Sequence, residues 1–324
     1  MSGIPFKVVF GTAGFGDTGK YRKLEDVQPI FDILAKEGVT HLDTAQLYGN
    51  SETYIGEVKA GEKFGLDTKW FGGFKPGESD KDNTIRLAKE SIQKLGVKKV
   101  DIFYLHAPDS THPIADTLEG VNEAYKLGLF ERFGLSNFSA AQVQEAYDIC
   151  KSKGYPIPSV YQGNYNAVAR VVEAELFPLL RKLNFAFYAY SPLAGGLLTK
   201  TAQEIADGAG RFGSEGIALY RNLYHKPAYM KALGQWEKIA DDEGISRAEL
   251  GFRWTAYNSQ IDVTGKYGDA LVVGASRPEQ VETTLGYLRK GPLSDKAAKA
   301  IDEIWELVKD EAPVDNFNSG PFQR

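Results

Sequence analysis

Three side chains of complementary acid–base character close successive β-rich runs of this chain: Asp43 in HLDTAQLYG, Lys75 in GGFKPG and His106 in YLHAPD. Tyr48 lies just beyond the first of them. One polar residue at a strand end is ordinary loop chemistry. An Asp, a Lys and a His that converge on one rim are different, because a lysine and an aspartate removed from water must pair. A phenol has a reference pKa of about 10, high for proton donation at neutral pH. A nearby ammonium favours the phenolate and lowers that value, so Lys75, oriented by Asp43, is expected to make Tyr48 a usable acid. His106 can donate a hydrogen bond to a carbonyl oxygen and align it. The chain shows no metal-ligand cluster and no activated Ser or Cys nucleophile, so the chemistry that fits is a proton given to a carbonyl opposite a hydride, which a nicotinamide must supply.

These residues need elements that bring them together. β-rich runs recur at residues 7–10, 40–44, 69–75, 100–106, 130–137, 159–165, 186–191 and 270–274. Between them lie segments with apolar residues at helical spacing, at 27–37, 84–95, 117–126, 140–151 and 173–183. Runs such as VDIFYL are apolar at consecutive positions, as in strands of a parallel sheet covered on both faces. Eight βα units favour a closed (β/α)8 TIM barrel, α/β in class, whose chemistry sits at the carboxyl ends of the strands. FGTAGFG has glycines at 11, 14 and 16, the wrong spacing for a dinucleotide-binding fingerprint. Residues 193–227 form a glycine-rich stretch too long for an ordinary connection and are expected to be a functional loop after strand seven. Helical patterns at 228–242, 247–256 and 295–309 follow, the last beyond the barrel. No composition shift marks a second domain, so residues 1–324 are expected to be a single barrel domain.

The 324 residues are 43% hydrophobic and 25% charged, within the range of ordinary globular proteins and far from disordered or fibrous ones. A net charge of -5 argues against nucleic acid as a partner. The single cysteine, Cys150, excludes an intrachain disulfide and reads as a small core residue. The first residues lack the pattern of a signal peptide, and no apolar stretch reaches ~20 residues. A cytoplasmic protein without a membrane partner is expected.

The segments HLDTAQLYGNSE, FKPG, DIFYLHAPD, GLSNFS, YQGNYN, YAYSPLAGGLL and VVGASRPEQVETTL together resemble the aldo-keto reductase superfamily over nearly the whole chain. VDIFYLHAPD, VYQGNYNA, AELFPLLR, FYAYSPLAGGLLT and YRN are most similar to its aflatoxin-aldehyde and succinic semialdehyde reductase branch. The resemblance implies a catalytic tetrad of Asp43, Tyr48, Lys75 and His106, with Tyr48 as general acid. It implies NADPH (NADP+) as cofactor. Ser136, Asn137 and Gln162 would hold the nicotinamide carboxamide, and Tyr190, followed by Ser191, would stack on its ring. Leu193, Gly195 and Arg211 would form a flap over the pyrophosphate. Ser276, Arg277, Gln280, Thr283 and Thr284 would grip the adenosine end, with Arg277 on a 2'-phosphate. Thr283 and Thr284 stand where the family commonly has Glu or Gln and then Asn. Arg221 and the terminal Arg324 match arginines that favour carboxylate-bearing substrates, completed by Tyr48 and His106.

The activity so implied is reduction of aryl, dicarbonyl or semialdehyde-type aldehydes to alcohols, by an enzyme whose branch often forms homodimers. Two alternatives stand beside it. Channel β subunits resemble this superfamily and use the barrel as a cofactor-binding regulatory module, against which the early entry of this chain into strand one argues. An alcohol or sugar dehydrogenase working oxidatively would use the same residues.

Overall fold

The computed structural model describes residues 3–17, 19–213 and 218–319. Eight parallel strands, β1 (Lys7–Gly11), β2 (His41–Asp43), β3 (Gly65–Trp70), β4 (Val100–Leu105), β5 (Phe130–Ser136), β6 (Val160–Asn164), β7 (Ala186–Tyr190) and β8 (Ala270–Val273), pair in chain order. β1 pairs with both β2 and β8, which closes the barrel. The (β/α)8 architecture read from the sequence is therefore the one observed.

Alternation along each strand divides the core in two. Val9, Ile102, Tyr104, Val160, Ala186, Tyr188, Ala270 and Val272 pack inside the barrel. Val8, Phe10, Phe103, Leu105, Phe187 and Ala189 point outward and pack with the surrounding helices. Both sets are buried, which explains the unbroken apolar runs.

The helices start and stop where side chains satisfy their free ends. Ser139 caps Ala140–Lys153 by accepting from the Gln142 N–H while Gln142 reciprocates, and Gly154 ends it with a φ of 68°. Pro227 opens Pro227–Glu243, where its missing N–H costs nothing. The alternation pattern did not reveal the short helix Ser51–Glu57 that follows β2. The described residues of the 193–227 stretch are more ordered than a loop. They hold a 3-10 turn at Ala194–Thr199, the helix Ala202–Ala206 with a Thr201/Glu204 capping box, and the helix Leu219–Tyr224. Buried Ile205, Phe212, Leu223 and Tyr224 anchor it.

One strand differs from its expected position in a way that matters for chemistry. β3 ends at Trp70, and the chain then turns through a 3-10 segment, Gly72–Phe74. Gly72 has a φ of +55°, and a Cβ there would lie 2.1 Å from the Ala107 carbonyl oxygen. The Gly-Gly pair breaks the strand before Lys75, so the strand expected at 69–75 runs over 65–70 instead.

Candidate active site

Asp43, Lys69 and His106 converge at the carboxyl end of the barrel, and the lysine is not the expected one. Asp67 and Lys69 alternate with outward-facing Leu66, Thr68 and Trp70, so both point into the barrel. The Lys69 ammonium, with no exposed surface, donates to Asp43 Oδ1 at 2.5 Å and to the Thr44 carbonyl at 2.8 Å. Tyr48 lies beside the ammonium, its ring centre 5.2 Å from Nζ, and Lys69 lowers the proton affinity of the phenol. Lys75 sits beyond the turn, more than half exposed, 2.7 Å from Glu78 and 5.5 Å from the Phe71 ring centre. The assignment of Lys75 to this cluster is therefore corrected to Lys69: the turn after β3 carries Lys75 out to Glu78, whereas Lys69, two residues after Asp67, shares its inward face.

Burial shapes the proton affinities. It raises Tyr48 above the ordinary tyrosine value, Lys69 pulls it down, and Asp43 and Tyr220 push it up. The net direction is upward, so the expectation that the ammonium outweighs everything else does not hold. Burial lowers Lys69, but Asp43 and Tyr48 more than restore it, and the ammonium stays charged. His106 is only 6% exposed, and burial followed by repulsion from Lys69 holds its imidazole neutral. Its Nδ1 has no partner. A bare acceptor there costs less than an orphaned N–H, so the single ring proton belongs on Nε2. The His106 ring stands edge-on to Tyr48 at 5.9 Å and against Phe74 at 4.8 Å.

The neighbouring strand ends extend this cluster. Gln162 donates its side-chain N–H to Asp43 Oδ2 at 2.8 Å, so the Asp43 carboxylate is held from both sides. Asn137, at a φ of 61°, donates to the His106 carbonyl at 2.7 Å and accepts from the Tyr190 hydroxyl at 2.9 Å. Its amide also reaches Ser136 Oγ at 3.3 Å. Ser136, Asn137, Gln162 and Tyr190 thus form one polar rim continuous with Asp43 and His106. The Ser191 carbonyl accepts from Asn166 at 3.0 Å.

Farther out, Leu193 rests on Gly251, and Gly195 lies under the Tyr220 ring, which a Cβ would meet at 2.0 Å. Arg211 donates to the Tyr220 hydroxyl at 2.9 Å and stacks on its ring. Arg221 is exposed on Leu219–Tyr224, and Arg324 lies outside the described residues.

The helix Pro278–Leu288 starts at Arg277 without a side-chain cap, so free backbone N–H groups face outward where Arg277 is exposed. Gln280 reaches back to accept from the Ser276 N–H at 2.8 Å and its hydroxyl at 3.0 Å. An uncapped helix start beside an arginine suits a phosphate. Thr283 instead spends its hydroxyl on the Glu279 carbonyl, and Thr284 is buried. The residues present fit a dinucleotide lying from this helix to the Tyr190 rim.

Over residues 7–306 the chain matches the aldo/keto reductase family. The chain belongs to the aldo/keto reductase family. It is an oxidoreductase acting on carbonyl groups with a nicotinamide cofactor. Among its relatives, this aldo/keto reductase is 37% identical over 318 residues to the oxidoreductase sirO of Leptosphaeria maculans, covering 95% of this chain and 96% of the relative. It is 39% identical over 299 residues to human aldo-keto reductase family 7 member A3, covering 86% and 88%. It is 37% identical to rat aflatoxin B1 aldehyde reductase member 2, covering 97% and 89%. The aflatoxin-aldehyde branch read from the sequence thus supplies relatives along nearly the whole chain.

Sequence reasoning missed Lys69, Asp67 and the tail. The signal for Lys69 was present in GLDTKW, where two charged residues two apart in a β-rich run share one face. The tail is harder. The Asn316 N–H donates to the Tyr190 hydroxyl at 3.3 Å, Phe317 packs edge-on against Phe74 at 4.9 Å, and Asn318 donates to the Asn137 carbonyl at 2.9 Å. Nothing in DNFNSGPFQR announces those contacts.

Proposed function

We propose that this protein reduces aldehydes to alcohols with NADPH, and that Tyr48 gives the carbonyl oxygen its proton. The observation that carries the reading is the Lys69 ammonium, which is buried, charged, bonded to Asp43 and set 5.2 Å from the Tyr48 ring centre. Ser136, Asn137 and Tyr190 would hold a reduced nicotinamide, whose chemistry there would be hydride donation. Neutral His106 donates from Nε2 to the carbonyl oxygen and so sets which lone pair faces Tyr48. As charge develops on that oxygen, Tyr48 passes its proton across, and Lys69 stabilises the phenolate left behind. Asp43, fixed by Gln162, keeps Lys69 in place.

The preference for the phosphorylated cofactor rests on Arg277 beside the uncapped helix start, where a 2'-phosphate gains both a guanidinium and free N–H groups. Rat and human relatives are named aflatoxin B1 aldehyde reductases, which supports an aldehyde as the substrate of this chain, with aryl, dicarbonyl and semialdehyde types as the candidates. The test follows loss of reduced nicotinamide with each aldehyde class, using NADPH and NADH in parallel. Turnover with NADPH and at least one class is expected. Tight cofactor binding without turnover of any aldehyde would overturn the reading.

A further inference from the structure

A second carboxyl group stands in the barrel core beside the Asp43–Lys69 pair and has no place in the mechanism above. Asp67 on β3 is in register with Asp43 on β2, and Lys69 follows it on the same inward face. It has no exposed surface. Its Oδ1 accepts from the Ile102 N–H at 3.2 Å, and its Oδ2 has no partner. The Tyr104 hydroxyl, on the β4 rung paired with Lys69, has none either. Two orphaned polar atoms in one barrel interior are costly to leave in place.

Charged groups face Asp67 from almost every side. Asp43 and Lys69 are on the chemical side, and β4 brings Tyr104. Toward the amino-terminal floor, Lys7 of β1, His41 of β2, Arg132 of β5 and Tyr188 of β7 gather around Asp101. β6 and β8 bring only uncharged residues, Val160, Gln162, Ala270 and Val272. The floor cations are held by Asp101, and Lys69 is held by Asp43. Burial outweighs the pull of Lys7 and pushes the Asp67 carboxyl up to about 8.

We propose that Asp67 is a positioning residue for the proton transfer: a carboxylic acid beside Asp43 and Lys69 whose ionisation adds a second negative charge to that pair and weakens Tyr48 as an acid. This rests on the reading of Tyr48 as proton donor. While Asp67 is neutral, Lys69 answers to Asp43 alone and its field acts on the phenol. Once Asp67 is ionised, part of that field is cancelled. A unit charge near 10 Å at an effective dielectric constant near 20 changes a rate on the order of tenfold.

The test is the pH profile of kcat/KM for NADPH-driven aldehyde reduction by the wild type and by Asp67→Asn, which keeps the shape and carries no charge. The wild type is expected to fall on the order of tenfold to a plateau as pH rises from about 7 to 9. The variant profile is expected to be flat over that interval. A role in structure alone would shift the variant's rate equally at every pH, and equal alkaline limbs in the two proteins would overturn the proposal. A carboxylic-acid C=O stretch in the infrared spectrum of the cofactor-free protein gives a readout independent of turnover. It is expected in the wild type at neutral pH, absent from Asp67→Asn and lost as pH passes about 8; its absence from the wild type would also overturn the proposal. Failure of the wild type to reduce any aldehyde would instead overturn the assignment of Tyr48, whatever the infrared spectrum shows.

Discussion

The Tyr48 hydroxyl keeps its proton well into alkaline conditions, because burial raises it and Lys69 only moderates the rise. A group that must donate is therefore loaded at neutral pH, and the buried ammonium that moderates its proton affinity also stabilises the phenolate left after transfer. His106 stays neutral as pH falls through the ordinary histidine range, so its donor role is insensitive to mild acidification. Two lysine substitutions separate the observed site from the one expected from sequence. Lys69→Met strands the Asp43 carboxylate in the core, which should cost about 3–5 kcal/mol of stability and at least ~100-fold in kcat. Lys75→Met removes an exposed pair with Glu78, worth about 0–1 kcal/mol, and a contact with the Phe71 ring, and should leave kcat within a few-fold. Thermal unfolding and steady-state rates on both variants check this; a larger loss of kcat from Lys75→Met would contradict the geometry. Asp43, Tyr48 and His106 were legible because strand ends are where this fold places chemistry. Lys69 was hidden because the strand was expected over 69–75, which put this residue at its start rather than near its chemical end.

At the scale of elements, the turn after β3 decides which lysine is buried. Gly72 occupies a left-handed conformation pressed against the Ala107 carbonyl, so Gly72→Ala combines strain with a clash. A loss of about 1–3 kcal/mol is expected in denaturant unfolding, with a drop in kcat larger than that of a surface mutation because His106 leaves the same β4 end. Asp67 makes the opposite prediction. Its proton affinity is higher in the folded chain than the ordinary aspartate value of 3.8, so the fold binds an extra proton between about pH 4 and 8. Stability from this group is fully present below that window, falls as pH rises through it and is constant above. Inside the window the fall amounts to about 1.4 kcal/mol for every pH unit. Asp67→Asn abolishes it and should raise the unfolding temperature most above pH 8. An unfolding temperature lowered at high pH would contradict the buried-acid description. Short β-rich runs, apolar at consecutive positions, made the strands legible to within a residue or two, except β3, where the Gly-Gly break was read through. The short helices of residues 193–227 escaped because each is one or two turns, too brief for a helical period to show.

For the whole molecule, the barrel brings residues from six strands to one rim and the chain's last described segment folds back across it. Buried Asp315 accepts from the N–H groups of Phe317 and Asn318, which shapes the turn that delivers Asn316 to Tyr190 and Asn318 to Asn137. Ending the chain at Pro313 removes both bonds and the Phe317 cover on Phe74. With a hydrogen bond worth about 1 kcal/mol, KM for cofactor should rise on the order of tenfold while the fold survives. Unchanged KM would show that the tail contributes nothing to the rim. The barrel itself was the most legible feature of the sequence, since eight βα units repeat the same signal. The tail was the least, because its contacts depend on where the barrel rim lies in space.

The most direct test of the account compares wild type with Tyr48→Phe, which loses a single hydroxyl. NADPH affinity, read by fluorescence titration, and kcat for the best aldehyde are measured on the same preparations. Cofactor affinity should be unchanged within a few-fold and kcat should fall by about 100-fold or more. Retention of kcat within a few-fold of wild type, with cofactor bound normally, would contradict the assignment of Tyr48 as the acid.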